Sequence, residues 1–191
     1  PLGSPPLISV DTYQAETVVA VLESGVDVIN DISAFAFDPA LLDVLVQYRP
    51  GYVLMHCQGV PGTMQQNPHY NDVVSEVTAF FEEKMNVLVN AGFPEENILL
   101  DPGIGFGKKM EHNLALMAHP EAWERLGRPS LMALSMKSVF NDFLGLPVES
   151  RGPATQTAPA LFYTRGYAWH RVHDARAASQ ALRLADAFMN A

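Results

Sequence analysis

The chain has 191 residues, 48% of them hydrophobic and 17% charged, which is enough apolar material for the core of one domain. Its net charge of −9 argues against nucleic-acid binding, because that function needs a basic face. A single cysteine, Cys57, excludes an intramolecular disulfide and is typical of a reducing compartment, so we expect a cytoplasmic protein. No apolar run is long enough to span a bilayer, so we expect no membrane partner.

The first four residues have a character of their own. Residues 1–4, with the letters PLGS, resemble the remnant of a cleaved purification tag, and we exclude them from the fold prediction. The apolar residues that follow already have the pattern of a buried strand. We therefore expect residues 5–191 to form a single domain and the natural protein to begin upstream of Pro5.

Short apolar runs alternate with longer segments of helical periodicity throughout the chain. The predicted strands are 8–11, 27–32, 51–57, 98–102, 131–135 and 167–172. The predicted helices are 15–24, 39–47, 71–90, 112–118, 138–144, 155–164 and 175–190. This alternation predicts a parallel sheet covered by helices.

Two folds accommodate six strand–helix units: an open doubly wound sheet and a (β/α)8 barrel. The barrel needs about 250 residues, so this chain is two units short of it. Every predicted strand nevertheless ends in polar residues, and a barrel gathers all its strand ends around one site, whereas an open sheet does not. The strand ends therefore favour a TIM-barrel-type α/β fold with about six C-terminal βα units.

The sharpest candidate segment is DPGIGFGK at 101–108. Its carboxylate, Asp101, follows an apolar strand and could accept hydrogen bonds from adjacent N–H donors of a ligand. The three glycines allow positive φ and a close approach of the backbone to a flat ligand. The alternative is that Asp101 caps the next helix while the glycines turn the chain.

Two further segments combine basic and hydroxyl groups at strand ends. Lys137 stands at the start of a predicted helix, where its charge could bind an anion or a carbonyl group. The alternative is that Lys137 is a solvated surface lysine. Ser138 could be the N-cap of that helix or could donate a hydrogen bond to a ligand. Arg171 and His173 end the last strand and share a side if strand pairing continues through them, which suits a diphosphate. The alternative there is an Arg–Asp ion pair with Asp174 as N-cap.

The first three strands end in residues that are individually less specific. Asp11 and Asn30 close the first two strands, and Asp11 could equally be an N-cap. His56 and Cys57 are neighbours on the third strand and face opposite sides, which argues against a Cys–His dyad. No second cysteine or histidine stands at zinc-ligand spacing, so no protein-built metal site is predicted.

Taken in order, these segments resemble dihydropteroate synthase over nearly the whole chain. The matching stretches are ISVDTY at 8–13, INDI at 29–32, LMHCQG at 54–59, TMQ at 63–65, LDPGIGFGK at 100–108, SMKS at 135–138 and RVHD at 171–174. The resemblance implies condensation of 4-aminobenzoate with 6-hydroxymethyl-7,8-dihydropterin diphosphate, with Mg2+ bound to the diphosphate. It also implies a homodimer through the late helices, with domain swapping as a further possibility.

The same resemblance implies a role for each candidate residue. The pterin would be bound by Asp11, Asn30, Met55, Asp101, Gly105, Phe106, Lys137 and Arg171. Ser138 would lie near the aminobenzoate, and Arg171 with His173 would bind diphosphate. Lys137, Arg171 and His173 would carry the catalytic work.

Two departures from the family pattern bear on activity. The family has arginine where this chain has Met136, which would weaken anchoring of the neighbouring loop or mark a divergent paralogue. The sequence also lacks the family's first two strands, with the asparagine that contacts diphosphate and metal, so we expect the chain to be weakly active or inactive. The alternatives are a corrinoid-linked pterin-dependent methyltransferase and a non-catalytic pterin-binding paralogue.

Overall fold

The computed structural model describes residues 5–191; the interpretation of residues 1–4 as a tag remnant lies outside this range. The strands are β1 Ser9–Asp11, β2 Val28–Asp31, β3 Gly51–Met55, β4 Ile98–Asp101, β5 Leu131–Met132 and β6 Trp169–His170. The α-helices are α1 Ala15–Glu23, α2 Leu41–Tyr48, α3 Val73–Asn90, α4 Met110–Ala118, α5 Val139–Leu144, α6 Gly152–Tyr163 and α7 Ala175–Met189. Short 3-10 helices cover Glu95–Asn97, Pro120–Leu126 and Val148–Ser150.

The strands run parallel and pair in chain order. β1, β2, β3 and β4 form one sheet, β5 pairs with β6, and a parallel bridge from Leu100 to Ser130 joins the two groups. Each strand returns through helical crossovers, so all six carboxyl ends lie at the same edge. The predicted parallel α/β arrangement is therefore confirmed.

The helices bury their apolar faces against the sheet. In α2, Leu41 and Leu45 are spaced four residues apart and are both fully buried. In α3, Val77 and Phe81 occupy the same spacing and are also fully buried. Burying each such aliphatic or aromatic side chain stabilises the fold by roughly 1.5–3 kcal/mol. This packing fixes the strand ends on which the candidate residues stand.

The helix starts decide several of the alternatives left open by the sequence. Helix α1 begins after Gln14 and α4 after Lys109, so neither Asp11 nor Asp101 is an N-cap. Ser138 stands at the N-cap position of α5, but its side chain makes no capping bond. Asp174 does cap α7, because its carboxylate accepts a hydrogen bond from the amide of Ala177.

The last two strands are shorter than the sequence predicts. β5 ends at Met132 and β6 at His170, whereas the apolar runs extend to residues 135 and 172. The Arg171 amide still donates to the Met132 carbonyl at 3.3 Å, but the His173 amide donates to a side chain, Ser135 Oγ. Strand pairing therefore does not continue through His173, and the condition under which Arg171 and His173 share a side is not met. The 3-10 helices were not predicted either, because elements of one or two turns leave little periodicity in a sequence.

The two outermost strands each have one strand neighbour within residues 5–191. β1 pairs with β2 alone and β6 with β5 alone. Apolar side chains are exposed beside these edges, with Leu7 67% and Trp169 52% accessible. Whether the natural protein adds further strands here stays a prediction. No helix in the described part of the chain is long and apolar enough to cross a membrane.

Candidate functional site

A cavity of about 420 Å³ opens at the carboxyl ends of the strands. It is lined by Asp11, Thr12, Tyr13, Gln14, Asn30, Ile32, Met55, Asp101, Phe106, Ala133, Lys137 and Arg171. Strands β1 to β4 each contribute their final or near-final residue, and the segments after β5 and β6 contribute the two cations. Strand-end residues of this kind form the active-site face of barrel folds. Seven of the ten candidate residues line this one cavity.

Asp101 and Asn30 form the buried polar wall of the cavity. Asp101 is 4% exposed, and its Oδ1 accepts a hydrogen bond from the amide of Gly103 at 2.7 Å. Burial raises the pKa of Asp101, against the opposing effects of that amide and of Lys137. Asn30 donates from Nδ2 to Asp11 Oδ1 at 2.8 Å, while its own Oδ1 is buried and has no hydrogen-bond partner among the described residues. This oxygen is therefore free to accept a hydrogen bond from a molecule in the cavity.

Two cations, Lys137 and Arg171, also line the cavity. Lys137 is half-buried, donates to the carbonyl of Ile104 at 2.8 Å and lies 4.2 Å from the ring centroid of Phe106. Burial is the main cause of its lowered pKa. Lys137 is therefore not the solvated surface lysine of the alternative interpretation. Arg171 pairs with Asp11, not with Asp174, so the proposed Arg–Asp pair exists with a different carboxylate.

Met55 and Phe106 are two of the apolar residues that line the cavity. Met55 at the end of β3 is 3% exposed, and Phe106 projects from the glycine-rich loop. Tyr13 at the mouth packs edge-on against Phe37, with ring centroids 5.3 Å apart. Apolar walls with a few convergent polar groups are typical of sites for small aromatic ligands.

The glycines at 103, 105 and 107 all have positive φ, of 65°, 84° and 59°. A Cβ atom at Gly103 would collide with the carbonyl of His56, and one at Gly107 with the carbonyl of Gln58. The close backbone approach at these two positions is thus to the segment after β3, not to a ligand as the sequence analysis suggested. Gly105 packs beside the cavity, where an added Cβ would lie 3.5 Å from Lys137 Cδ.

Besides Gly105, two other candidate residues are not part of the cavity lining. Ser138 is exposed at the start of α5. His173 is also exposed, and its Nδ1 lies 2.7 Å from Ser135 Oγ, which also accepts from the His173 amide at 3.2 Å. Ser135 thus fixes the backbone and ring of His173 after β6 has ended.

Met136 has a strained backbone conformation that is held by hydrogen bonds with two other residues. Its φ is 60°, an uncommon value for a residue with a side chain. Its amide donates to Thr155 Oγ1 at 3.1 Å, and its carbonyl accepts from Arg151 Nη1 at 2.9 Å. Arg151 is 9% exposed and also donates to the carbonyl of Leu146. Arg151, 15 residues later, therefore anchors the backbone at Met136, and this contact was not predicted from the sequence. Weaker anchoring through loss of the family arginine stays a prediction.

A family model described as "Pterin binding enzyme" matches residues 5–173. The chain belongs to the pterin-binding enzyme family. Among curated relatives, it is 36% identical over 184 residues to the dihydropteroate synthase of Haemophilus influenzae, covering 96% of this chain and 66% of that one. The Bacillus subtilis dihydropteroate synthase is 35% identical over 189 residues, covering 99% and 63%. The predicted family membership is confirmed, and the chain spans somewhat less than two thirds of these relatives' length.

Solved structures of the pterin-binding family give the same result. The Yersinia pestis dihydropteroate synthase with a sulfonamide drug complex matches with a TM-score of 0.93 and 30% identity, over 98% of this chain and 68% of that one. The Xanthomonas albilineans enzyme with 4-aminobenzoic acid matches with a TM-score of 0.89 and 36% identity, over 97% and 66%. The predicted barrel-type fold is confirmed over the shared part.

Proposed function

We propose that this chain binds the pterin substrate of dihydropteroate synthase and takes part in joining it to 4-aminobenzoate. The observation that carries the proposal is that Asp101, Asn30, Lys137 and Arg171, from four different strand ends, line one cavity. A solved relative from Xanthomonas albilineans is in complex with 7,8-dihydropteroate, the product of that reaction.

The polar wall suits the donor edge of a pterin. The carboxylate of Asp101 would accept from the exocyclic amine and the adjacent ring N–H, in the paired geometry that carboxylates offer. The buried Oδ1 of Asn30 would accept a further N–H, which supplies the partner that this atom otherwise lacks. Asp11, hydrogen-bonded to Asn30, would orient that amide.

The remaining lining residues suit the ring faces and its acceptor edge. Met55 and Phe106 would pack against the bicyclic ring, and Gly105 would leave room beside Phe106. Lys137 would donate to the ring's carbonyl oxygen and keep its bond to the carbonyl of Ile104, since an ammonium has three hydrogens to donate.

Bond formation would occur at the methylene carbon of the pterin substrate. The amine nitrogen of 4-aminobenzoate forms a C–N bond there, the C–O bond to diphosphate breaks, and the amine loses one proton. Stabilising the departing anion is the main electrostatic task. Arg171 can stack on the ring and grip the diphosphate, with His173 nearby as a second donor, while Ser138 would face the aminobenzoate.

The family's Mg2+ would enter with the diphosphate. Within residues 5–191, no group of three or more His, Cys, Asp or Glu side chains is arranged to hold a metal ion. Mg2+ commonly binds through substrate phosphates and water with few protein ligands. These residues do not by themselves build a metal site, so no step of the proposed reaction is assigned to the ion.

The proposal is tested by diphosphate release with both substrates, with each one omitted as a control. We expect release that requires both, at a rate below that of full-length relatives because this chain matches only part of them. Pterin binding without any response to 4-aminobenzoate would instead favour a non-catalytic pterin-binding protein. Preference for methyltetrahydrofolate would favour the corrinoid-linked methyltransferase.

We also propose that the late helices form a homodimer interface, in line with the family resemblance. Phe143, Leu161, Leu184 and Phe188 expose more than half of their side chains on α5, α6 and α7. They line two adjoining grooves, of about 470 and 350 Å³. Large exposed apolar patches of this kind mark association sites. Sedimentation should give a dimer that Leu161→Glu converts to a monomer; a monomeric native chain would refute the interface.

A further inference from the structure

Five consecutive carbonyl oxygens of the glycine-rich loop, residues 103–107, each accept a hydrogen bond from a side chain. Lys108 donates to the carbonyls of Gly103 and Phe106. The other three donors are Lys137 to the Ile104 carbonyl, Gln65 to the Gly105 carbonyl and Tyr70 to the Gly107 carbonyl. Gln65 and Tyr70 stand in the segment after β3, so this loop is tied to its neighbour on one side and to Lys137 on the other. Such a set of bonds fixes the backbone of a segment that has three glycines and little intrinsic stiffness.

Lys108 is at the centre of this arrangement. Its side chain is 3% exposed, and its Nζ donates to the carbonyls of Gly103 and Phe106, both at 3.0 Å. The same Nζ lies 2.9 Å from His56 Nδ1 and 3.3 Å from the His56 carbonyl. No carboxylate within the described residues forms an ion pair with it. Burial lowers the pKa of Lys108 to about 7, and its buried ammonium is tolerated only where neighbouring acceptors satisfy its hydrogens.

His56 is suited to be the acceptor for this ammonium. Its ring is 7% exposed and packs edge-on against Phe80, with centroids 4.8 Å apart. Burial, and then the charge of Lys108, lower the pKa of His56 to about 3. The imidazole is therefore neutral near pH 7, and its Nδ1 can accept from Lys108.

Two residues proposed to bind the pterin depend on the tethered loop for their position. Asp101 precedes it and accepts from the Gly103 amide, while Phe106 lies within it and faces the cavity. We propose that Lys108 is a positioning residue: its ammonium, with the other tethers, fixes residues 103–107 so that Asp101 and Phe106 face the pterin. The inference rests on the pterin-binding role proposed above. A loop already ordered before binding avoids an entropic cost on binding.

The test compares Lys108→Met with Lys109→Met, since Lys109 is an exposed lysine next to it in the chain. Pterin affinity is measured by calorimetry, and amide hydrogen exchange is measured for the peptide covering 101–108. We expect Lys108→Met to weaken pterin binding by about tenfold or more and to accelerate exchange in that peptide, because the freed carbonyls no longer hold one conformation. Lys109→Met should change neither quantity. A folded Lys108→Met chain with native affinity and native exchange would overturn the proposal.

A second variant covers the case in which Lys108→Met does not fold. Tyr70→Phe removes one oxygen atom and with it one tether, the 2.9 Å bond to the Gly107 carbonyl. We expect faster exchange in the 101–108 peptide and about threefold weaker pterin binding, in line with loss of one hydrogen bond. Native values for both would count against tethering of the loop. If the native chain binds no pterin, the proposed function fails, yet the exchange comparison still decides whether Lys108 holds the loop.

Discussion

The guanidinium of Arg171 forms an ion pair with the carboxylate of Asp11, 160 residues earlier in the chain. The pair joins the end of β6 to the end of β1, which are the first and last strands of the described sheet. Arg171 therefore already has an anionic partner at the cavity. A diphosphate entering the cavity would compete with Asp11 for the same guanidinium.

Replacing Arg171 by methionine should separate diphosphate recognition from fold stability. Both side chains of the pair are more than half exposed, so we expect the free energy of unfolding to fall by less than about 1 kcal/mol. Binding of the pterin diphosphate should weaken by about 2 kcal/mol, and binding of the pterin without diphosphate by less. Calorimetry with both ligands measures the difference. Arg176→Met, on the exposed side of α7, is the control; equal losses for both ligands would contradict a diphosphate role.

Pterin binding should depend on pH through Asp101. Burial raises the pKa of this carboxyl group above its ordinary value, and the paired hydrogen bonds need the ionised form. Affinity should therefore be constant at pH above the raised pKa and fall by up to tenfold for each pH unit below it. Dissociation constants measured between pH 4.5 and 7.5 would give this profile. Asp101→Asn should give weak binding with a flat profile; an equally steep profile would assign the titration to another group.

Acid should destabilise the fold through His56. The folded pKa is about 3, against an ordinary value of 6.5, so between these values the unfolded chain binds more protons than the folded one. Lowering the pH from 7 to 5 should then reduce the free energy of unfolding by about 2 kcal/mol from this residue alone. Denaturant unfolding at the two pH values measures it. His56→Asn, which keeps an acceptor for Lys108 and does not titrate, should lose about 2 kcal/mol less on acidification.

Removing Arg151 should destabilise the segment between β5 and α6. Arg151→Met leaves the carbonyls of Met136 and Leu146 without their donor in a mostly buried setting. We expect a loss of about 2–4 kcal/mol in the free energy of unfolding, from two orphaned carbonyls. Arg125→Met, which breaks only the exposed pair with Glu82, should cost less than about 1 kcal/mol. Similar losses for the two variants would mean that Arg151 does not anchor Met136.

Much of the fold could be predicted because its signals are local. Apolar runs and helical spacing place all six strands and all seven α-helices to within a few residues, and parallel pairing follows from the alternation. The ends of β5 and β6 were predicted too late in the sequence, because nothing in residues 133–135 or 171–172 marks where the backbone leaves the sheet. Sequence alone does not mark where pairing ends.

The site divides in the same way. Asp101, Asn30 and Lys137 could be predicted because each stands at or shortly after the end of a strand, and parallel strand ends meet. The tether of Lys108 to His56, 52 residues apart, and that of Arg151 to Met136 were not predictable, since they depend on side-chain conformations within a packed core. The sequence does show a lysine, Lys108, at the end of the glycine-rich run. Lysine is almost never fully buried without partners, so its burial here required partners that the sequence did not reveal.

The most direct test of the pterin-site assignment is calorimetric titration of pterin into the native chain and into Asp101→Asn at neutral pH. The account predicts one pterin bound per chain, and an affinity about a hundredfold weaker after the substitution, because a charge-assisted pair of hydrogen bonds is lost. Absence of binding to the folded native chain, or equal affinity for the two, would contradict it.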